Sequence, residues 1–202
     1  LMRKLGELLT RDADDLAQIE SRDNGKIIRE TTAQAKSLQS YLDYFAGSAD
    51  KLLGEQIPTP TPNFLVYTER VPVGVVGVIV PWNSPLALLT WKLAPLLAAG
   101  CTAVVKPSDL TPVTALLLAR LAHEAGFPPG VINVVTGGAE VGAAISAHPD
   151  IDKLTFTGGG ATARHVARAA AANLTPATLE LGGKSPQIVF ADADPEAATN
   201  GL

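Results

Sequence analysis

Residues 153–163 read Lys-Leu-Thr-Phe-Thr-Gly-Gly-Gly-Ala-Thr-Ala (KLTFTGGGATA). The alternating run 153–156 predicts a strand, and the Ala-rich segment 161–172 predicts a helix. The glycines between them fit the pattern G-x-G-x-x-[GA] from Gly158 to Ala163, which lets a backbone approach a pyrophosphate at a helix N-terminus. The stretch therefore predicts a strand–turn–helix unit with a candidate nucleotide site. A glycine-rich connection without a ligand is the alternative interpretation.

The same alternation of strand and helix continues on both sides of this unit. The predicted strands are 75–80, 102–106, 131–135, 177–181 and 187–190. The predicted helices between them are 86–98, 113–125 and 139–147. Successive βαβ units of this kind make right-handed crossovers. We therefore predict an α/β fold with a doubly wound, mostly parallel, Rossmann-like sheet and helices on both faces.

The first part of the chain has a different pattern. Segments 3–22 and 31–53 show helical periodicity, and Asn24-Gly25 between them is typical of a helix end. The Pro-rich stretch 58–62 predicts an extended connection, and 64–70 alternates as a half-exposed strand does. The predicted parts are N-terminal helices with a connection (1–62), a hairpin strand region (63–74) and a dinucleotide-binding domain (75–202).

The composition is that of a globular protein of 202 residues, with 47% hydrophobic and 18% charged residues. A net charge of −4 argues against nucleic acid or an anionic membrane as a partner, and no apolar run reaches the roughly 18 residues of a membrane span. The single Cys101 excludes an internal disulfide and indicates a reducing compartment, so we expect a cytoplasmic protein. Because the chain opens on Leu1 and ends at Leu202 in helix-like patterns, we expect a piece of a longer protein.

Four polar or glycine-containing stretches follow predicted strands, at 81–83, 106–109, 157–160 and 180–183. In open α/β sheets, ligands bind outside the carboxyl ends of the strands, so we expect these loops to share one edge. Glu180 lies 20 residues after Gly160, the spacing at which a dinucleotide site places an acidic ribose ligand. Lys106 and Asp109, as donor and acceptor, are the alternative ribose ligands.

A set of motifs in a fixed order resembles the NAD(P)-dependent aldehyde dehydrogenase superfamily over nearly the whole chain. The motifs are Pro81-Trp82-Asn83, Ala99-Gly100-Cys101-Thr102 leading to Val105-Lys106-Pro107-Ser108, Phe127-Pro128-Pro129-Gly130-Val131 with Asn133-Val134-Val135-Thr136-Gly137, Phe156-Thr157-Gly158, and Leu179-Glu180-Leu181-Gly182-Gly183-Lys184-Ser185-Pro186. The resemblance implies an oxidoreductase and most of its coenzyme-binding domain. It also implies a hairpin around Phe64–Val73 that helps to build a homodimer or homotetramer.

The resemblance implies a reaction in which a cysteine thiolate attacks a small-molecule aldehyde. A hydride passes to the nicotinamide, and water releases the carboxylic acid from the thioester. Asn83 resembles the oxyanion-hole residue, with a loop cap as the alternative role. Glu180 resembles the general base, whose pKa a partly apolar crevice would raise; an ion pair with Lys184 is its alternative. The catalytic cysteine is expected beyond Leu202, so the chain alone is expected to be inactive.

The resemblance also implies a set of cofactor-binding residues. They are Val80, Pro81, Trp82, Asn83, Lys106, Ser108, Asp109, Gly142, Thr157, Gly158, Gly159, Leu181 and Gly182. Asp109 stands where many members carry Glu, and a carboxylate there repels a 2′-phosphate, so NAD is favoured while NADP stays possible. Gly159 stands where many members have Ser, and backbone N–H groups are expected to substitute for its hydroxyl.

Other reactive residues receive structural interpretations. Cys101 is predicted to fill the core, because it precedes an apolar strand and has no basic partner nearby in sequence. His123, His148 and His165 show no metal-ligand spacing, so no metal is assigned. A CoA-acylating relative and an inactive nucleotide-binding or oligomerisation module are the competing interpretations. The Glu180 motif argues against the first, because that enzyme needs no deacylation base.

Overall fold

The computed structural model describes residues 1–201, so Leu202, the last residue of the predicted 75–202 domain, lies outside the described residues. The helices are α1 (Met2–Arg11), α2 (Ala13–Asn24), α3 (Ile28–Ala46), α4 (Pro85–Ala98), α5 (Val113–Glu124), α6 (Ala139–Ala147), α7 (Gly160–Ala172) and α8 (Pro195–Asn200). The strands are β1 (Gln56–Ile57), β2 (Val66–Tyr67), β3 (Val75–Ile79), β4 (Thr102–Lys106), β5 (Ile132–Val134), β6 (Lys153–Gly158) and β7 (Ala177–Leu181). No helix within residues 1–201 is long and apolar enough to cross a membrane.

Five strands form one parallel sheet in the order β5-β4-β3-β6-β7, which confirms the predicted doubly wound fold. The chain first moves from β3 to β5 and then returns to the other side of β3, so the switch point lies between β3 and β6. Ile79 is in register with both Lys106 and Phe156. The loops that follow β3, β4, β6 and β7 therefore lie at one edge of the sheet.

Helices cover the two sheet faces in separate groups, because strand side chains alternate between faces. Val78 and Val105 are fully buried in a cluster with α4 and α5, against which α1 and α3 pack. Ile79, Leu154 and Phe156 lie in a second cluster with α6 and α7. Side chains at the carboxyl ends of the strands can therefore contact each other only when they lie on the same face of the sheet.

The N-terminal helices differ from their predicted bounds. The predicted helix 3–22 is two helices, because Asp12 leaves the helical conformation with φ −100° and ψ 12°. The predicted helix 31–53 begins at Ile28 and ends at Ala46, with a short 3-10 turn at Ala49–Lys51. The predicted end at Asn24-Gly25 is confirmed, since Gly25 closes α2 with a φ of 77°.

Two strand predictions are corrected. Of the predicted strand 64–70, only Val66–Tyr67 forms a strand, and its antiparallel partner is Gln56–Ile57. The Pro-rich stretch 58–62 is thus the hairpin loop, since proline cannot donate to a ladder, and the boundary at residue 63 divides the hairpin. The predicted strand 187–190 is irregular and its apolar side chains are exposed, because no strand among residues 1–201 pairs with it.

Candidate functional site

The loop after β3 is held by its backbone, while the side chains of Trp82 and Asn83 face outward. Val80 is buried, and its N–H donates to the Lys106 carbonyl at 3.2 Å. Thr111 Oγ1 donates to the Trp82 carbonyl at 3.4 Å. Trp82 and Asn83 are exposed. Because the loop is tied to the neighbouring β4 loop, the Asn83 amide is presented at the sheet edge and not within the core.

The end of β4 and the loop after it carry one buried cation and one exposed carboxylate. Lys106 is only 7% exposed, and its Nζ donates to the Pro107 carbonyl at 3.0 Å. Ser108 Oγ accepts from the Leu110 N–H at 3.2 Å, which shapes the turn. Asp109 is exposed beyond this turn. A lysine buried to this degree retains N–H donors that a polar ligand at the sheet edge can accept.

The glycine turn between β6 and α7 leaves backbone room at a helix start. A Cβ at Gly158 would lie 2.6 Å from Phe156 Cζ, so this position has no space for a side chain. A Cβ at Gly159 would meet nothing within 4 Å, so the approach from outside is open. The first α7 bond runs from the Ala163 N–H to the Gly159 carbonyl, and the preceding N–H groups face outward as an anion site does.

A slot of about 540 Å³ opens between α6 and α7 beside this turn. Small residues of α6 form one wall, namely Ala139, Gly142, Ala143, Ser146 and Ala147. The opposite wall of α7 includes Thr162, His165 and Val166, and Lys106 and Phe156 lie at the sheet side. A Cβ at Gly142 would lie 3.8 Å from Lys106 Cδ, so the slot reaches the buried lysine. A flat ring between two helices would have Lys106 at one end.

Glu180 lies at the same edge but on the other face of the sheet. It is in register with Thr157, and Leu181 with Gly158. Leu179 packs into the cluster with α6 and α7, so Glu180 points toward α4. The carboxylate therefore faces away from the slot that contains Lys106, which weighs against the ribose-ligand alternative. Glu180 is exposed within residues 1–201, which differs from the expected apolar crevice, and Leu181 and Gly182 are exposed beside it.

Lys92 of α4 is a charged neighbour of Glu180 that the sequence did not single out. Its Nζ donates to Thr155 Oγ1 at 2.8 Å. Burial lowers the pKa of Lys92, and the negative charge of Glu180 partly opposes that effect. A lysine on a helix is usually solvated, so the sequence contained no local signal for this burial. The two groups place opposite charges on one face at the sheet edge.

The thiol and the histidines do not gather at this edge. Cys101 is 6% exposed within the core cluster of α4 and α5, in agreement with its predicted packing role. His123 and His148 are exposed on or after their helices. His165 is exposed, as the sequence predicted, and it also lines the slot. The i, i+3 and i+4 spacing of small residues in α6 was a signal for that slot.

Comparison with known proteins finds a family match over the whole chain. The sequence profile of the aldehyde dehydrogenase family matches residues 1–202. The chain is 51% identical over 201 residues to (Z)-2-((N-methylformamido)methylene)-5-hydroxybutyrolactone dehydrogenase of Acinetobacter baylyi, covering 99% of this chain and 41% of that protein. It is 50% identical over 205 residues to aldehyde dehydrogenase, cytosolic 1, of Mus musculus, covering 98% of this chain and 40% of that protein.

Solved structures give the same result. The crystal structure of betaine aldehyde dehydrogenase from Staphylococcus aureus in complex with NAD+ superposes with a TM-score of 0.95 at 42% identity. That match covers 98% of this chain and 40% of the other. The chain thus spans about two fifths of the length of the relatives that it matches. Because the family profile matches its full length, the chain belongs to the aldehyde dehydrogenase family.

Proposed function

We propose that this chain supplies the coenzyme site, the oxyanion donor and the general base of an enzyme that oxidises an aldehyde with NAD+. The observation that carries the proposal is the common sheet edge of the glycine turn, Lys106, Asn83 and Glu180. The net reaction converts an aldehyde, NAD+ and water into a carboxylic acid, NADH and a proton. NADP+ is the alternative coenzyme.

The residues of the slot and its turn fit the adenosine half and the pyrophosphate of a dinucleotide. A flat adenine matches a slot walled by small α6 residues, and Lys106 supplies N–H donors for the ribose at its end. The outward N–H groups at the start of α7 suit a pyrophosphate. The exposed carboxylate of Asp109 favours a free 2′-hydroxyl over a 2′-phosphate. When bound, the coenzyme accepts the hydride that leaves the aldehyde carbon.

Asn83 is proposed to stabilise the negative oxygen that develops when a nucleophile adds to the aldehyde. Its exposed side-chain amide can donate to that oxygen, while its backbone is held by the rest of the chain. One such donor stabilises a transition state by about 3–4 kcal/mol in acyl-transfer enzymes. The nucleophile is proposed to be a cysteine from a segment beyond Leu202, since Cys101 is buried.

Glu180 is proposed to take a proton from the water that releases the acid. Its position on the face opposite the adenine slot supports this role over ribose binding. The Lys92 ammonium lies on the same face of the sheet as Glu180, so the carboxylate has a cationic neighbour there. The exposed apolar side chains of the hairpin, Phe64, Leu65 and Tyr67, support a homodimer or homotetramer as the working state.

The test begins by sequencing the coding DNA past the codon for Leu202 and expressing the encoded polypeptide. NADH formation is followed at constant NAD+ with a panel of aliphatic and aromatic aldehydes. Aldehyde-dependent NADH, lost on replacing a downstream cysteine with Ser, is the expected result. An open frame whose product binds NAD+ but oxidises no aldehyde would instead support the alternative, an inactive nucleotide-binding or oligomerisation module. Absence of NAD+ binding in calorimetry would contradict the enzyme and the nucleotide-binding module and would leave only an oligomerisation module.

A further inference from the structure

The N-terminus of α4 is capped by a residue from another helix. Ser84 is the N-cap residue of α4, with φ −154° and ψ 60°, yet its hydroxyl makes no capping hydrogen bond. A serine at this position usually accepts from the N–H of the second or third helical residue. Here the Leu86 N–H donates to Glu20 Oε2 of α2 at 3.1 Å. Glu20 is 3% exposed, and Thr114 Oγ1 also donates to it at 3.3 Å.

The hydroxyl of Ser84 is engaged by the turn that follows α2. Lys26 Nζ donates to Ser84 Oγ at 2.8 Å. The same ammonium donates to Gln34 Oε1 of α3 at 3.1 Å, so its position is fixed from a second side. Because Ser84 is 9% exposed and Lys26 is half-buried, this charge-assisted bond is partly shielded from water. The Ser84 hydroxyl is therefore held by the turn between α2 and α3, while its carbonyl accepts from the Leu88 N–H of its own helix at 3.0 Å.

Asn24 completes the contact by holding the backbone of Asn83 itself. Its Oδ1 accepts from the Lys26 N–H at 2.9 Å, and its Nδ2 donates to the Asn83 carbonyl at 3.3 Å. Ser21 Oγ donates to the Lys26 carbonyl at 2.5 Å, and Gly25 closes the turn in a left-handed conformation. The Asn24 side-chain oxygen is thus fixed within the turn after α2, and the Asn24 side-chain nitrogen holds the loop that contains Asn83.

We propose that Glu20, Asn24 and Lys26, the α2 brace, are positioning residues that set the direction of the Asn83 side-chain amide. The inference rests on the proposed oxyanion role of Asn83. The brace contacts three consecutive parts of that region: the Asn83 carbonyl, the Ser84 hydroxyl and the first turn of α4. A displacement of about 1 Å at a reacting group can cost about 100-fold in rate, so the fixed backbone has catalytic consequences.

A double-mutant cycle with Asn83 separates positioning from general stabilisation. In the NAD+-dependent full-length enzyme, Asn83→Ala is expected to lower kcat about 100-fold. Asn24→Ala is expected to lower kcat about tenfold with the KM for NAD+ within about twofold of wild type. The variant that combines them is expected to match Asn83→Ala within about twofold, because the brace has no further group to position.

Other results of this double-mutant cycle would contradict the inference. If the two losses multiply, or if Asn24→Ala leaves kcat unchanged, the brace does not act through Asn83 and the inference is wrong. If Asn83→Ala itself leaves kcat unchanged, the oxyanion proposal fails and the inference fails with it. Asn133→Ala is the matched control, since Asn133 Nδ2 donates to the Gly130 carbonyl at 2.8 Å, away from the residues of the proposed site. That control is expected to keep kcat within about twofold of wild type.

Lys26 gives an independent test that does not require Asn24 to be changed. Lys26→Met and Ser84→Ala remove the two partners of one hydrogen bond, so each is expected to lower kcat about threefold to tenfold. The double variant is expected to lower kcat no further than either single variant. Lys26→Arg retains a donor and is expected to recover most of the rate that Lys26→Met loses. The proposal would be contradicted if the kcat losses of Lys26→Met and Ser84→Ala multiply in the double variant, or if Lys26→Arg recovers none of the rate. The urea midpoint of every variant identifies any that is not folded.

Discussion

Lys92 Nζ donates a hydrogen bond to Thr155 Oγ1 across 2.8 Å, which joins the middle of α4 to β6. Lys92 is half-buried, and this burial lowers its pKa below the ordinary value of 10.5. Glu180 acts in the opposite direction and raises that pKa in part. A partly buried cation with one hydroxyl partner is costly to the fold.

The pH dependence of unfolding tests the burial of Lys92. Between its lowered pKa in the folded chain and 10.5, the unfolded chain binds more protons at this side chain. Raising the pH from about 8 to about 10 therefore favours the folded state through this group, and Lys92→Met is expected to lose that contribution. Urea unfolding at each pH measures it. Lys36→Met, at an exposed lysine, is the control; equal slopes in both variants would contradict the prediction.

The pH dependence of unfolding that Glu20 contributes has the opposite sign to that of Lys92. Burial raises its pKa above the ordinary value of 4.5, while the bonds from Leu86 and Thr114 partly lower it. Between 4.5 and the raised value, the folded chain binds more protons, so the stability contribution of Glu20 rises as the pH falls from about 7 to about 5. Glu20→Gln is expected to remove this dependence while retaining an acceptor. Glu69→Gln, at an exposed carboxylate, is the control. Its free energy of unfolding is expected to retain the pH dependence that Glu20→Gln removes.

The sequence predicted the sheet well because each strand from β3 to β7 has its own apolar run, bounded by Gly or Pro. It failed at 187–190, where an apolar run lacks a strand to pair with among residues 1–201. It also missed the break at Asp12, since the apolar face continues through α1 and α2. Periodicity reports burial, whereas pairing and helix ends depend on neighbours that are distant in sequence.

The sequence pointed to candidate site residues only where they lie in recognisable motifs near the carboxyl ends of strands. Asn83 follows β3, Lys106 is the last residue of β4, and Glu180 lies near the end of β7. Lys92 and His165 lie on helices, where a polar side chain has the same pattern as a solvated face. The α2 brace depends on contacts between residues about 60 positions apart. These side chains become visible only once the packing of the helices is known.

The start of β3 depends on a glycine that no other residue can replace without cost. Gly74 has a φ of 117°, and a Cβ there would clash with the Asp152 carboxylate, which accepts from the Val75 N–H at 2.7 Å. Gly74→Ala is expected to lower the free energy of unfolding by about 2–4 kcal/mol through strain and loss of this bond. Gly130, with a φ of 90° and no atom within 4 Å of its Cβ position, is the control. Gly130→Ala is expected to cost about 1 kcal/mol, and equal losses in urea unfolding would contradict the clash.

Two adjacent alanines of α6 test the coenzyme slot. Ala143 lines the slot between α6 and α7, whereas Ala144 faces a separate groove over β4. Ala143→Leu is expected to fill the slot and raise the Kd for NAD+ at least about tenfold, because a flat ring needs the space that a small residue leaves. Ala144→Leu makes the same change on the same helix and is expected to alter the Kd less than about twofold. Calorimetric titration of NAD+ into each folded variant gives both values. Equal losses of affinity, or none in Ala143→Leu, would place the adenine elsewhere.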